Sequence, residues 1–192
     1  MTRWFAALVV ILAAVPAAAD IQGCSNRADP AAQIAACTAV IDAGNALPPD
    51  LGLAHLYRCQ AHDMNQRYAD ALPDCERAAG ILTRDPAAHN SLAIVLLNLD
   101  RPAEALDPAT RAVTLLPTHG SVYNVRADVH CRLGNTDAAV ADRLDALQHG
   151  RYTAENLQEF LKIRGHYQGA IDGAFGKGSR AALRAWTDAG CQ

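Results

Sequence analysis

The sequence lacks the short motifs that mark metal, redox and phosphate sites. No CxxC, HxxxH or HExxH spacing occurs among its six cysteines and seven histidines, although zinc and dithiol sites depend on ligands that converge from such spacings. Gly176 and Lys177 are followed by Gly178, where a phosphate-binding loop needs Ser or Thr. These absences predict no metal, no cofactor and no catalytic residue, and the histidines are expected to be packing residues.

Basic runs and abundant aromatic residues are also missing. The chain has 17 Lys and Arg against 20 Asp and Glu, a net charge of -3, and only 5% aromatic residues. A protein that follows a phosphate backbone needs a basic surface, so nucleic acid is not an expected partner. With 51% apolar residues among 192, the chain is long enough for one medium-sized core or two small ones.

No apolar run is long enough to span a membrane. Residues 4–15 are an apolar stretch and residues 17–19 are three alanines, which predicts a signal peptide over 1–19 that is cleaved before Asp20. A membrane anchor is one alternative, but the stretch is shorter than the roughly 20 residues that a spanning helix needs. Acylation of Cys24 is another alternative, which the residues before it disfavour. We therefore expect a secreted protein of the bacterial periplasm, without stable membrane insertion after cleavage.

The cysteines are expected to form disulfides. The six are Cys24, Cys37, Cys59, Cys75, Cys131 and Cys191. Their number is even and they follow the signal peptide, which favours disulfides over free thiols, with fifteen connectivities open. Cys59 and Cys75 lie on the two helices of one predicted hairpin and are favoured partners, because antiparallel helices bring such positions close. Cys24 and Cys37 flank the start of the first helical segment and are expected to pair. By elimination, Cys131 is then expected to pair with Cys191.

Small residues recur every 34 positions through the middle of the chain. The three registers are Cys59, Ala93 and Ala127; Ala71, Ala105 and Ala139; and Ala78, Ala112 and Ala146. Repeats of this length are typical of stacked helical hairpins, whose helices approach closely only at small side chains. The registers predict two-helix units over 52–85, 86–119 and 120–152. A further helix over 29–44, in the N-terminal segment 20–51, is half a hairpin and caps the stack.

This region resembles the tetratricopeptide repeat (TPR) family. The resemblance covers 52–152 and rests on the strings YADALPDCERAAGIL, RPAEALDPATRAVTLLP and NTDAAVADRLDAL. It implies a concave groove, lined by the first helix of each unit, that takes a protein or peptide. The candidate groove residues are Gln60, Asp63, Asn90, Asn98, Asn124, Asp128 and Arg132. Amides carry a donor and an acceptor together, which suits pairing with a peptide backbone; the alternative is an ordinary solvated helix face.

The 34-residue pattern stops near residue 150, where a second pattern begins. Over 153–192, two helices are predicted on either side of a glycine-rich turn, the first begun by Thr153 and the second by Ser179 as capping residues. Apolar stripes on the two helices are expected to face each other. The segment is therefore interpreted as a separate small module.

The string GHYQGAIDGAFGKGSRAALRAW in this module resembles the peptidoglycan-binding domain family of small three-helix modules. The resemblance implies affinity for the bacterial cell wall. Tyr167 would stack on a sugar, while Asp172 and Arg180 would pair with charged or amide groups of stem peptides. The alternative is that the aromatic residues form the core of the module and Asp172 only shapes its turn.

Together these features predict an all-α protein with about three stacked TPR-like hairpins, an N-terminal half hairpin and a C-terminal peptidoglycan-binding-like module. The predicted function is an exported, non-enzymatic scaffold that binds a protein or peptide, with cell wall binding as an additional expectation from the resemblance. One alternative is a wall-remodelling hydrolase or its accessory. Another is a purely protein-binding TPR protein whose C-terminal module is a structural cap.

Overall fold

The structure, a computed structural model, describes residues 21–191. The predicted signal peptide over 1–19 lies outside the described residues. The helices assigned in 21–191 are α1 (Ile21–Cys24), α2 (Pro30–Asp42), α3 (Pro48–Met64), α4 (Tyr68–Ile81), α5 (Pro86–Asn98), α6 (Pro102–Leu115), α7 (Gly120–Arg132), α8 (Thr136–Gln148), α9 (Ala154–Ile163) and α10 (Lys177–Asp188). That range contains no strand, which confirms the all-α fold class. None of these ten helices is long and apolar enough to cross a membrane.

Helices α3 to α8 form three hairpins that stack in chain order, with α3 on α4, α5 on α6 and α7 on α8. The nine small residues of the 34-residue registers are all fully buried, at 0% exposure. They lie where neighbouring helices approach, as the spacing predicts. The first helix of the first unit begins at Pro48, one turn earlier than predicted. These three hairpins are the scaffold for the concave face described below.

The N-terminal segment packs on the first hairpin. Asp29 caps α2 by accepting hydrogen bonds from the backbone amides of Ala31 and Ala32, at 3.0 and 3.1 Å. Helix α2 packs on α3, and a small core of buried residues that includes Val40 and Ala54 fills this junction. The predicted half hairpin is therefore in place at the start of the stack.

Three disulfides join the cysteines, and the pairings are those predicted from the sequence. Cys24–Cys37 ties α1 to α2, Cys59–Cys75 bridges α3 and α4, and Cys131–Cys191 joins α7 to a residue three positions after the end of α10. The last bridge spans 60 residues of chain. It therefore holds the end of the C-terminal segment against the third hairpin.

The C-terminal helices α9 and α10 pack against the last repeat helix. Their core is built on Leu161 and Leu183, which are fully buried, and on Trp186, which is 4% exposed. Val140 and Leu144 of α8 pack on the same core. Within 153–191 there are two helices rather than the three of the predicted module, and α8 supplies the third helical surface.

Of the two capping residues predicted for α9 and α10, only the one for α9 is confirmed. Thr153 caps α9, and its hydroxyl accepts a hydrogen bond from the amide of Asn156 at 3.2 Å. The prediction of Ser179 as a cap is wrong, because α10 begins two residues earlier with Gly176 as the capping residue. Ser179 is instead buried, and its hydroxyl accepts a hydrogen bond from Gln158 at 3.1 Å.

Candidate peptide-binding groove

The first helices α3, α5 and α7 lie side by side and carry the predicted groove residues. Gln60 of α3 donates a hydrogen bond to the hydroxyl of Ser91 at 3.2 Å, and Asn98 donates to the carboxylate of Asp63 at 3.3 Å. Both bonds join α3 to α5. Burial raises the pKa of Asp63, and the hydrogen bond from Asn98 offsets part of that rise. These predicted groove residues therefore link neighbouring repeats.

The same kind of link joins the turn after α5 to the end of α7. Arg132 bonds to the carboxylate of Asp100 at 3.2 Å, and both side chains are largely exposed. Asn90 is the exception on this face. Its side-chain oxygen is buried and has no hydrogen-bond partner among the described residues. Although Asn90 is one repeat before Asn124, the two amides do not have equivalent surroundings.

Asn124 and Asp128 are held by an arginine that is not among the predicted groove residues. Arg143 of α8 donates one hydrogen bond to the side-chain oxygen of Asn124 and another to Asp128, the latter at 2.5 Å. In the two earlier repeats the equivalent positions are Cys75 and Ala109. An arginine at a position that is otherwise small is the signal that would have identified it.

The concave face ends in a pocket of about 330 Å³ between the third hairpin and the C-terminal helices. Its polar lining is Asn124, Asp128, Arg143, Asn156 and Arg164. Its less polar lining is Tyr152, Leu157, Phe160, Trp186 and Cys191. Four different helices and the Cys131–Cys191 disulfide thus meet here, and we name this cavity the junction pocket.

A smaller pocket of about 190 Å³ adjoins the junction pocket and shares Asp128 and Cys191 with it. Its lining also includes Asn98 and Arg132. We call the two pockets together the trough. The trough brings together Asn98, Asn124, Asp128 and Arg132 of the predicted groove residues, whereas Gln60, Asp63 and Asn90 lie outside it.

Two of the buried and partly buried histidines have structural partners within the repeats. His55 lies 2.8 Å from a carboxylate oxygen of Asp74, and His89 lies 3.1 Å from the backbone oxygen of Thr83. Over 21–191, no three His, Cys, Asp or Glu side chains are arranged to hold a metal ion. Each of these contacts joins two helices or fixes a turn between them.

Two of the three predicted wall-binding residues are used inside the glycine-rich turn. Gln158 of α9 is fully buried, and its amide nitrogen lies 2.9 Å from the carboxylate of Asp172 and 3.3 Å from the hydroxyl of Tyr167. The bond from Gln158, followed by the backbone amide of Ala174, lowers the pKa of Asp172. The Tyr167 hydroxyl donates to the backbone oxygen of Ala170 at 2.9 Å. Both residues therefore shape the turn.

The stacked hairpins and their buried small residues define a TPR-type solenoid fold. Among solved structures, a MamA protein has this fold at 18% identity, with a TM-score of 0.61, and the alignment covers 82% of this chain and 79% of that one. YrrB, described as a TPR protein with an unusual peptide-binding site, aligns at 14% identity with a TM-score of 0.58 and covers 82% of this chain and 76% of its own. A third structure, MamA MSR-1 C2, aligns at 20% identity with a TM-score of 0.54 over 64% of this chain and 68% of that one. No protein-family profile and no curated protein sequence matches the chain.

Proposed function

We propose that this chain is an exported, non-enzymatic scaffold that holds an extended segment of a partner protein in the trough. The observation that carries the proposal is that two neighbouring pockets share Asp128 and Cys191 in their linings. Amide and charged side chains along the trough supply both donors and acceptors for a peptide backbone. The likeness in fold to YrrB, a TPR protein with a peptide-binding site, supports the same use here.

Site-specific photo-crosslinking tests this proposal. A photoreactive residue at Asn98 in the trough is compared with one at Arg77, which is exposed on α4 and lies outside the trough. We expect one discrete protein adduct from position 98 in producing cells and none from position 77. Equal labelling at the two positions, or no adduct at either, contradicts the proposal.

Export to the periplasm is part of the proposal. Three disulfides within 21–191 favour an oxidising compartment. The N-terminal apolar stretch and its three alanines support the same location. N-terminal sequencing of the protein from a producing bacterium is expected to begin at Asp20, and an intact Met1 would argue against export.

The C-terminal helices are proposed to cap the array. They cover the apolar side of α8, and Arg184 of α10 pairs with Asp137 of α8 at 2.7 Å. A solenoid needs its terminal face covered, so removing this segment should expose Val140 and Leu144. A chain that ends at Gly150 is expected to be less stable to urea than the full chain and to bind a dye for exposed apolar surface. Unchanged stability and no dye binding would contradict the capping role.

Cell wall binding by the C-terminal segment is the second candidate function. One observation favours it: Arg180 is exposed and forms no ion pair within 21–191, whereas Tyr167 and Asp172 are hydrogen-bonded within the turn. Sedimentation with isolated cell-wall sacculi tests it, with the mature chain compared with its Arg180→Glu variant. Wall binding predicts that the mature chain sediments and the variant less so. A mature chain that stays in the supernatant rules out this function and leaves the scaffold proposal unaffected.

A further inference from the structure

The junction pocket differs from the rest of the concave face because α9 and α10, which are outside the repeats, build one side of it. Leu157 and Phe160 of α9 and Trp186 of α10 form an apolar wall. The polar part of the lining is the group of Asn124, Asp128 and Arg143, which borders this wall at Trp186. A volume of about 330 Å³ lies at the lower end of the range of pockets that enclose small ligands.

The apolar wall is fixed by a series of ring contacts. The Phe160 ring meets Trp186 edge to face, with centroids 4.9 Å apart. The Arg143 guanidinium lies 5.0 Å from the centre of the Trp186 ring, and that of Arg164 lies 5.2 Å from the centre of Phe160. Two arginines therefore flank two rings, and the rings present a defined apolar surface to the cavity.

The two arginines differ in their partners. Arg143 is buried and already bonded to Asn124 and Asp128, so its charge is compensated. Arg164 is exposed and forms no ion pair with any residue of 21–191. The pocket therefore offers one uncompensated positive charge next to an apolar wall.

We infer that the junction pocket binds an acidic side chain that adjoins a large apolar side chain in the partner's extended segment. The apolar side chain packs on Leu157 and Phe160, and Arg164 pairs with the carboxylate. An internal acidic residue, rather than a chain end, is the occupant, because the neighbouring pocket lined by Arg132 and Asn98 offers a place for further residues of the segment. The inference rests on the proposed peptide-binding function and specifies which side chains of the partner the pocket recognises.

Trp186 provides a direct readout. The only other tryptophan is Trp4, in the predicted signal peptide, so Trp186 is the sole tryptophan of the mature chain. Acetyl-Leu-Glu-amide is titrated into the mature protein and followed by tryptophan fluorescence, with acetyl-Leu-Gln-amide as the uncharged match. We expect a saturable change with the glutamate peptide and about two- to fivefold weaker binding of the glutamine peptide.

Variants of Arg164 test the same contact from the protein side. Arg164→Glu, which replaces an attraction by a repulsion, is expected to weaken binding of the glutamate peptide by about five- to tenfold. Arg164→Lys is expected to keep most of the affinity. Arg111→Glu makes the same charge change at an exposed position of α6 and should leave binding unchanged. Equal affinity for the two peptides, or no response of Trp186, overturns the inference. Tighter binding of acetyl-Ala-Leu with a free carboxylate also overturns it, in favour of a chain end.

A selection from random displayed dodecapeptides separates this inference from the proposed function. Binders that share an acidic residue beside a large apolar one, and that weaken with Arg164→Glu, support both. Binders that lack the pair and ignore Arg164→Glu overturn the pocket inference and leave the peptide-binding function standing. A library without binders contradicts the proposed function. The dipeptide titration alone then tests whether the junction pocket binds an acidic side chain beside an apolar one.

Discussion

Arg126 and Asp142 form a two-bond ion pair between the helices of the third hairpin, with nitrogen to oxygen distances of 2.8 and 2.6 Å. The same pair occurs two repeats earlier, where Arg58 meets Asp74 at 2.7 and 2.8 Å. In the hairpin between them, the equivalent positions are Leu92 and Pro108. An ion pair with a buried carboxylate therefore joins the two helices of the first hairpin and the two helices of the third, whereas the second hairpin has uncharged residues at these positions.

Removing the charge of Asp142 should cost much more than removing a surface charge. Asp142→Asn leaves the Arg126 guanidinium, whose side chain is 21% exposed, without its counter-charge. We expect a loss of about 2–4 kcal/mol in the free energy of unfolding, measured in urea. The matched control is Asp70→Asn, which breaks the exposed pair with Arg67 and should cost under about 1 kcal/mol. Similar losses for the two variants would contradict the expectation that the buried pair contributes more stability than the exposed one.

In each of the three hairpins, the turn between the helices has a residue with a positive φ at the same position of the repeat. Gln66, Asp100 and Gly134 are each one repeat apart and have φ of 58°, 56° and 73°. Only the third is a glycine, which adopts this conformation without steric cost. Gln66→Gly is expected to raise the free energy of unfolding by about 1 kcal/mol in thermal or urea unfolding. Asn65→Gly is the control at a negative φ and should be neutral or destabilising.

Close approach between α7 and α8 requires a glycine at position 120. A β-carbon there would lie 2.4 Å from the backbone oxygen of Ala146. Gly120→Ala should therefore destabilise the protein by about 1–3 kcal/mol in urea unfolding, because backbone has to move. Gly80→Ala is the matched control, since nothing lies within 4 Å of its added β-carbon and α4 is helical there. That variant should be stabilised by up to about 1 kcal/mol.

Stability should fall as the solution is acidified from about pH 7 to pH 5. Burial lowers the pKa of both His62 and His130 in the folded protein. Below the unfolded value of about 6.5, the unfolded chain takes up protons that the folded chain does not, so the free energy of unfolding decreases with falling pH. Urea midpoints across this range measure the slope. The double variant His62→Gln with His130→Gln should show a shallower slope, and an unchanged slope would disprove the assignment.

Several features of the fold are predictable from the sequence because they depend on spacing along the chain. The positions of the small residues follow from helix periodicity and the 34-residue repeat, and all of them are buried. Cys59 and Cys75 share one hairpin, so their separation in sequence already indicates their proximity. The onset of α10 is not predictable in this way, since Ser179 is a good capping residue that is buried against Gln158.

The candidate site is less predictable, for a physical reason. Asn124 and Asp128 are foreseen as groove residues, but their partner Arg143 comes from the second helix of the hairpin and reaches them across it. Phe160, Arg164 and Trp186 enter the same pocket from beyond the repeats. Contacts between such distant positions depend on how the helices pack, and local sequence pattern does not encode that packing.

The sequence by itself determined the helical repeat and the close helix contacts, and it favoured the pairing of Cys59 with Cys75, because each follows from periodic spacing and the size of side chains. Only the tertiary structure decided that a buried Gln158 forms hydrogen bonds with Tyr167 and Asp172 and so holds both residues within their turn. It also decided that the C-terminal helices close the end of the concave face and form the junction pocket there. The physical reason is that a binding surface arises from side chains that packing brings together, whereas a repeat arises from contacts that recur along the chain.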